Sequence, residues 1–516
     1  MKKKFRKLSV LVSAVLCASC LGMTAAAYDE TANVPDELEI TDDSETQYVY
    51  DGIYYGFEGY SAYIYSADPD ITRAEIPDIV DGYPVTKITS YAFSACEKLE
   101  EITLPSCLRY IDEGALDNTA WYNSQPDGPV YAGNILYDYK GDIPANTSIT
   151  IKDGTVSVSP YAFTGEMNTE TYEVAETTGL VSIEIPESME IISYSAFESC
   201  TGLENITVPE NQHIVIESDA LKNTAWYNSQ PDGLVYAGSV LYKYKGEMPE
   251  NTELVLREDT KVICPDAFYP EQDNNSDEEI VNTGLKSITL PEGLEYIGDG
   301  AFQSCQSLTE ISIPDKVSVI GNGAFFNCTS LSSVKLSENI YEIGMAQFAL
   351  CSSLKSIEIP ENVGRIGDIA FMSSGLTDVE LSKYVYYIGS GAFYCPSLKN
   401  ITVPNPRCYI EDERSVSNYM DDEGTMYYYG TIKGYANSYA DIYAQKFGYT
   451  FENTLGVIGD VSGNEKIDLY DAIRICEYIM NMRTFDDNML MIADYNLDFE
   501  VNLYDVIAIA TELLPK

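Results

Sequence analysis

The most restrictive feature of this sequence is a phrase that returns every 23 residues. SLTEISIPDKVSVIGNGAFFNCT (307–329), SLSSVKLSENIYEIGMAQFALCS (330–352) and SLKSIEIPENVGRIGDIAFMSSG (353–375) follow the skeleton L-x-x-I-x-I-P-x-x-V-x-x-I-G-x-x-A-F-x-x-C. Phe302, Phe325, Phe348, Phe371 and Phe393 fall 22 or 23 residues apart, and earlier copies surround Phe93, Leu116, Phe163, Phe197, Leu221 and Phe268. A fixed period of this length predicts stacked coils. In L-x-x-I-x-I-P, alternate apolar residues point one way, so the segment reads as a short strand that proline ends. A-F-x-x-C turns apolar residues inward again. No single copy can bury its own face, whereas stacked copies share one continuous core.

A longer duplication lies over the short one. NTAWYNSQPDG occurs at 118–128 and again at 223–233, each followed by V-Y-A-G-x-x-L-Y-x-Y-K-G, and acidic inserts at 164–179 and 270–284 hold corresponding places. The N-terminus, MKKKFRKLSVLVSAVLCASCLGMTAAAYDE, has a basic start, an apolar run and small residues at Ala25 to Ala27, which predicts a signal peptide over 1–27 and a secreted, extracellular chain. A lipoprotein reading at Cys20 is disfavoured, because Cys17 stands where such signals carry Leu. No later stretch is long enough for a membrane span. Residues 28–47 read as an acidic linker.

Without residues 1–27 the chain has 26 Lys and Arg against 81 Asp and Glu, a formal charge near −55. Such a surface repels nucleic acid and anionic membrane. His213 is the only histidine, so histidine-based triads and multi-histidine metal sites have nothing to build on. Ten cysteines remain after residue 27, and Cys305, Cys328 and Cys351 recur in register with Ser374 taking the next turn. Alternation with serine favours small buried core residues over disulfide partners.

Together these motifs resemble the BspA-like leucine-rich repeat family of bacterial surface and secreted proteins, over roughly 48–452. Residues 48–83 resemble its N-terminal cap, and GTIKGYANSYADIYAQKFGYTFE (430–452) its closing segment, with an Ala/Tyr-rich helix over the open end of the core. The resemblance implies binding to a protein or polysaccharide target, and no catalysis. Exposed strand positions would include Glu100, Glu101 and Thr103, Thr309, Glu310 and Ser312, and Lys355, Ser356 and Glu358. A neighbouring row carries Tyr110, Tyr296 and Tyr387, with Tyr341 and Tyr386 one residue earlier in their coils. Tyrosines make good contact residues and good strand residues alike, so the row reads either as a binding face or as plain sheet surface.

Residues 456–516 break the pattern. GDVSGNEKIDLYD aligns with ADYNLDFEVNLYD, and both match the calcium-loop spacing with oxygens at positions 1, 3, 5, 9 and 12 and a backbone carbonyl at 7. In the first loop these are Asp460, Ser462, Asn464, Asp468 and Asp471, with the carbonyl of Lys466; in the second, Asp494, Asn496, Asp498, Asn502 and Asp505, with the carbonyl of Glu500. Ile467 and Val501 take the inward apolar position. A helix follows each loop, with Ala472, Cys476, Ile479 and Met480 spaced to face inward in the first and Val506, Ile509, Ala510 and Leu513 in the second. Neither loop is expected to have a full helix before it.

This duplicated loop-helix arrangement resembles a type I dockerin, a small all-α calcium-binding module that docks onto a cohesin of a scaffold protein in polymer-degrading complexes at bacterial surfaces. The resemblance implies two Ca2+ sites. It also places partner contacts at Leu469, Tyr470, Cys476, Glu477 and Asn481, and at Leu503, Tyr504, Ala510 and Thr511. Glu465 and Phe499 stand at loop position 6, where glycine is usual, which points to weaker binding in one loop. The expected fold is thus a β-rich leucine-rich repeat solenoid of short strands, turns and short helices, followed by the dockerin-like module. Two other readings stay open: a polysaccharide-degrading subunit of the same complex, and a protease inhibitor or structural spacer.

Overall fold

The computed structural model describes residues 39–40, 48–58, 61–164, 175–210, 213–270, 281–421, 424–498 and 500–514. The proposed signal peptide, most of the linker, most of both acidic inserts and Phe499 lie outside the described residues. The chain divides into two units, one formed by 1–231 with 235–242 and the other by 232–234 with 243–516. The division therefore falls inside the repeats, not at the 452/456 boundary.

The first unit opens with four antiparallel strands, Glu39–Ile40, Tyr48–Tyr50, Ile53–Glu58 and Ser61–Ala67, after which pairing turns parallel through Tyr83–Ile88 to Tyr110–Ile111. A core of Ile53, Tyr55, Ile64, Val85, Phe93, Leu99 and Leu116 fills this end. Two ladders then run side by side. One joins Ser157–Val158, Ile191–Ile192 and Val215–Ile216, and the other joins Thr147–Thr150, Leu180–Glu184 and Asn205–Thr207, all parallel, with one register shift between Thr147 and Ser148. The NTAWYNSQPDG phrases form one-turn helices α1 (Ala120–Asn123) and α2 (Ala225–Asn228), capped by Thr119 and Thr224, whose hydroxyls accept from Tyr122 N and Tyr227 N. The duplication extends to side chains: Tyr137 and Tyr242 hydroxyls accept the N–H of Leu116 and Leu221, each at 3.1 Å.

In the second unit, the phenylalanines of A-F-x-x-C stack directly. Centroids of Phe268, Phe302, Phe325, Phe348, Phe371 and Phe393 are 4.9, 5.3, 5.3, 5.6 and 5.3 Å apart, with ring planes within 13° of parallel. Each cysteine closes the coil below. The thiols of Cys328, Cys351 and Cys395 donate to the carbonyls of Phe302, Phe325 and Phe371 at 3.1, 3.2 and 3.0 Å. Ser374 stands in the same ladder, its hydroxyl 3.3 Å from Cys395 Sγ. All ten cysteines of the described chain are free thiols. The I-G glycine has a steric cause: a Cβ on Gly321 would sit 2.3 Å from the backbone nitrogen of Asp299 in the coil before it.

The end of the solenoid is closed by α3 (Tyr439–Phe447), capped by Ser438 and ended by left-handed Gly448. It buries Ala440, Tyr443 and Ala444, and the Tyr443 hydroxyl donates to Asp412 O at 3.0 Å. Beyond the strand Thr450–Val457 come three short helices, α4 (Leu469–Ile479), α5 (Asp487–Ala493) and α6 (Leu503–Leu513). They share a small core of Val461, Ala472, Ile475, Ala493 and Ile509, joined by Ile467 and Val501.

Two expectations need correction here. The second loop does have a helix before it, because Asp486 caps α5 by accepting from Met489 N. The inward faces also differ: Ile479, Met480, Ala510 and Leu513 are exposed, so burial falls on Ala472 and Ile475 in α4 and on Ile509 in α6. A module this small has room inside for only one stripe of each helix.

Removing one ring from the middle of the stack leaves a cavity between two fixed neighbours. Phe348→Ala should cost about 3–5 kcal/mol in chemical denaturation. Burial pushes the thiols of Cys351 and Cys395 up to about 12, the few donor contacts notwithstanding. At pH 8 these thiols should resist alkylation in the native protein and react once denatured, as read by mass spectrometry.

Candidate cation loops and docking face

The two C-terminal loops repeat one hydrogen-bond plan. In the first, both oxygens of Asp471 accept loop N–H groups, Oδ1 from Ser462 at 2.8 Å and Oδ2 from Asp468 at 2.9 Å. In the second, Asp505 does the same with Asn496 at 3.1 Å and Asn502 at 2.8 Å. The residue at position 9 also caps the helix that follows: Asp468 accepts from Tyr470 N at 2.7 Å, and Asn502 from Tyr504 N at 2.8 Å. Lys466 and Glu500 are set in place by donating their N–H groups to Asn464 Oδ1 and Asp498 Oδ1, each at 3.0 Å. Each last carboxylate therefore ties the loop to its own helix. This is the reciprocal capping box of Asp468/Asp471 and Asn502/Asp505.

The loops differ in how their first carboxylate is satisfied. Asp460 Oδ1 accepts from Ser462 Oγ, Gly463 N and Asn464 N, and its Oδ2 from Glu465 N at 2.6 Å. Glu465 reaches that bond with φ of 65°, the left-handed turn expected at position 6. Burial pushes Asp460 up, but the N–H and hydroxyl donors outweigh it and hold the carboxyl below its ordinary range. Oδ1 of Asp494 accepts from Asp498 N at 3.0 Å, and its Oδ2 lies 2.7 Å from Arg407 Nε of the last repeat coil. Asp505 is pushed up to about 6, first by burial and further by the carboxylates of Asp494 and Asp498.

Among the described residues no three His, Cys, Asp or Glu side chains gather as a metal cluster. The loops instead mix carboxylate, amide and hydroxyl oxygens. Such a donor set fits a hard divalent cation, and the negative charge that Asp494 and Asp498 place on Asp505 is what a dication would relieve.

The Leu-Tyr pairs stand just outside the loops, at the starts of α4 and α6. Leu469 and Tyr470 are 65% and 55% exposed, Leu503 and Tyr504 58% and 69%. That exposure excludes internal packing between the helices as their role in this chain. Each pair is extended by a residue that the sequence reading missed: Ile473 and Ile507, one turn on and also exposed. Their spacing of four from Leu469 and Leu503 was the available signal. Cys476 and Glu477 are half-buried, Glu477 pairing with Arg483 at 2.9 Å. Asn481 is exposed beyond the end of α4. Ala510 and Thr511 are exposed on α6, with the Thr511 hydroxyl donating to Ile507 O.

On the repeats, Glu100, Glu101, Thr103, Thr309, Glu310, Ser312, Lys355, Ser356 and Glu358 are all exposed. In the second unit the tyrosine row is a cluster. Tyr387 and Tyr409 rings lie 6.2 Å apart, the Arg365 guanidinium sits 4.9 Å over Tyr387, and Tyr341, Tyr384 and Tyr386 are exposed nearby in sequence and ladder order. Tyr384 and Tyr409 were missed, although Tyr409-Ile410 repeats Tyr387-Ile388 and pairs with it in register. Tyr386 fits there because a Cβ on Gly364 would lie 2.6 Å from its ring.

A family model described as BspA type leucine-rich repeat region, in six copies, matches residues 61–125, 142–229 and 276–398. Among solved structures, a leucine-rich repeat protein from Eubacterium ventriosum is 20% identical, with 77% of this chain and 99% of that one covered and a TM-score of 0.31. One from Bacteroides ovatus is 20% identical, covering 70% and 98%, with a TM-score of 0.30. A leucine-rich cell surface protein from Faecalibacterium prausnitzii is 18% identical, covering 82% and 98%, with a TM-score of 0.26. No curated protein matches the chain. No helix among the described residues is long and apolar enough to cross a membrane.

Without a cation, the raised Asp505 favours the folded module only while it holds its proton. That contribution is complete below the unfolded value near 4 and is lost as pH rises through about 6. In metal-free buffer, amide exchange in α6 should therefore quicken as pH rises from about 4 to about 6, beyond the intrinsic pH dependence, and added calcium at pH 7 should slow it again.

Proposed function

The chain belongs to the BspA-type leucine-rich repeat family, and from that premise we propose a secreted, non-catalytic binding protein in two parts. The repeats present a target face, and the C-terminal module attaches that face to a scaffold. The module is read as a dockerin whose loops hold two calcium ions through Asp460, Ser462, Asn464, Lys466, Asp468 and Asp471, and through Asp494, Asn496, Asp498, Glu500, Asn502 and Asp505. Its partner is a cohesin of the scaffold protein.

One observation carries the docking reading: two Leu-Tyr-Ile triplets, related by a 34-residue offset, are held exposed at the starts of capped helices. Exposed aromatic and aliphatic anchors on rigid backbone are what a protein interface concentrates its binding energy on. Each triplet follows the last carboxylate of a loop, so an ion that stiffens the loop also fixes the anchors. Because the two copies are equivalent in placement, either can engage the same cohesin pocket.

For the repeats, the Tyr341/Tyr384/Tyr386/Tyr387/Tyr409 cluster supports a protein or polysaccharide target. Tyrosine faces offer apolar contact and hydroxyls offer hydrogen bonds, which suits either class. The surrounding acidity disfavours polyanions.

The test is cohesin binding by the full chain in calcium and in chelator. Alanine at both Leu469 and Tyr470 should weaken binding less than about tenfold, and alanine at all four Leu-Tyr positions should weaken it at least a hundredfold, as expected of anchor residues. Equal loss from one pair and from both would exclude the twin-face arrangement. Binding that is indifferent to chelator would exclude the calcium assignment.

A further inference from the structure

The two loops are near-copies in sequence, yet among the described residues the second is the one whose first carboxylate forms an ion pair with the repeats. Arg407 lies in the last coil, between Pro406 and the fully buried Cys408. Its backbone is fixed on both sides: Arg407 N donates to Asn405 Oδ1 at 3.0 Å, and Tyr439 N of the closing helix donates to Pro406 O at 2.9 Å. Its side chain is 16% exposed, and its Nε lies 2.7 Å from Oδ2 of Asp494 as an ion pair, on a side chain with no exposure at all. The same oxygen of the first-loop counterpart, Asp460 Oδ2, is bonded by its own loop, through Glu465 N. In the second loop a guanidinium from outside the loop stands at ion-pair distance from that oxygen.

The backbone keeps this arrangement in place. Val457 pairs with Ala436 at the end of the last parallel ladder, Ile458 N donates to Ala436 O at 3.0 Å, and Gly459 N donates to Ile492 O at 2.8 Å. Module and cap are therefore tied together by backbone hydrogen bonds. A charge pair this well enclosed is poorly screened by salt, so its effect on a neighbouring cation survives at physiological ionic strength.

We propose that Arg407 is a fixed counter-cation of the second loop, which competes with calcium for the charge of Asp494, makes that loop the weaker of the two, and clamps the module to the repeat cap when no ion is bound. The proposal rests on the calcium reading of the loops. By linkage the competition is reciprocal: calcium in the second loop weakens the Arg407–Asp494 bridge by the factor by which the bridge weakens calcium. The sensitivity of the second loop is thereby set by a residue of the repeats, not by the module alone.

Calorimetric calcium titration and chelator melts of the full chain, R407Q and R407K test it. Wild type should show two unequal steps. In R407Q the weaker step should tighten about tenfold or more, in the usual range of site-to-site coupling, and the melting temperature in chelator should fall. R407K keeps the charge and should keep wild-type calcium affinity, which separates electrostatics from damage to folding. If wild type binds two ions and R407Q binds the weaker one no better, the competition is wrong and the calcium reading stands. If no variant takes up calcium, the calcium reading fails and this inference with it.

Discussion

The structure depends on one spacing. Neighbouring strands in a sheet sit roughly 4.7–4.9 Å apart, and stacked aromatic rings settle at a similar distance. In the second unit the phenylalanine centroids step by 4.9–5.6 Å along the coils, so backbone ladder and ring stack advance together. A residue of a given coil therefore meets its own counterpart in the next. Everything buried must tolerate that self-contact. Phe stacks, Ile packs on Ile, and a thiol or hydroxyl small enough to reach a carbonyl of the coil before it closes the turn. The I-G glycine follows from the same spacing, since the backbones come too close for a Cβ.

That constraint also organises the outside. Outward residues form columns because inward residues do, and a column of Glu342, Arg365, Tyr387 and Tyr409 results from strand register alone. The tyrosine cluster is thus a by-product of stacking that a binding surface can exploit. The C-terminal module solves burial differently. It has too little interior for a two-sided core, and its apolar surplus stays on the surface at the starts of two helices. There, carboxylates tie loop, cap and anchor into one unit: Asp471 and Asp505 accept from their loops while opening the helices that carry Leu-Tyr.

Much of this was readable from the chain itself. The period, the inward Phe and Cys, the closing Ala/Tyr helix and the inward Ile467 and Val501 follow from pattern, because burial in a repeat is decided by residues that recur. The left-handed turn at Glu465 followed from loop spacing even without glycine there. Pattern failed where burial was set by neighbours of unrelated sequence. Ile479, Met480, Ala510 and Leu513 keep helical spacing but are exposed, since no described residue of the module covers them. The seven-residue α5 was missed because it is short, and Asp486 as its cap carried the only signal.

The sequence by itself determined the coil, its core and the pairing of two loops with two helices, because those depend on contacts between like residues at fixed offsets. It also determined that no multi-histidine cation site can be built here, because His213 is the only histidine. Only the tertiary structure decided that the two loops are unequal. Arg407 and Asp494 are 87 positions apart, and no periodicity links them. Their meeting depends on where the last coil ends, how α3 closes it and how Val457 to Gly459 carries the chain across, a set of contacts between unlike residues that no repeat encodes.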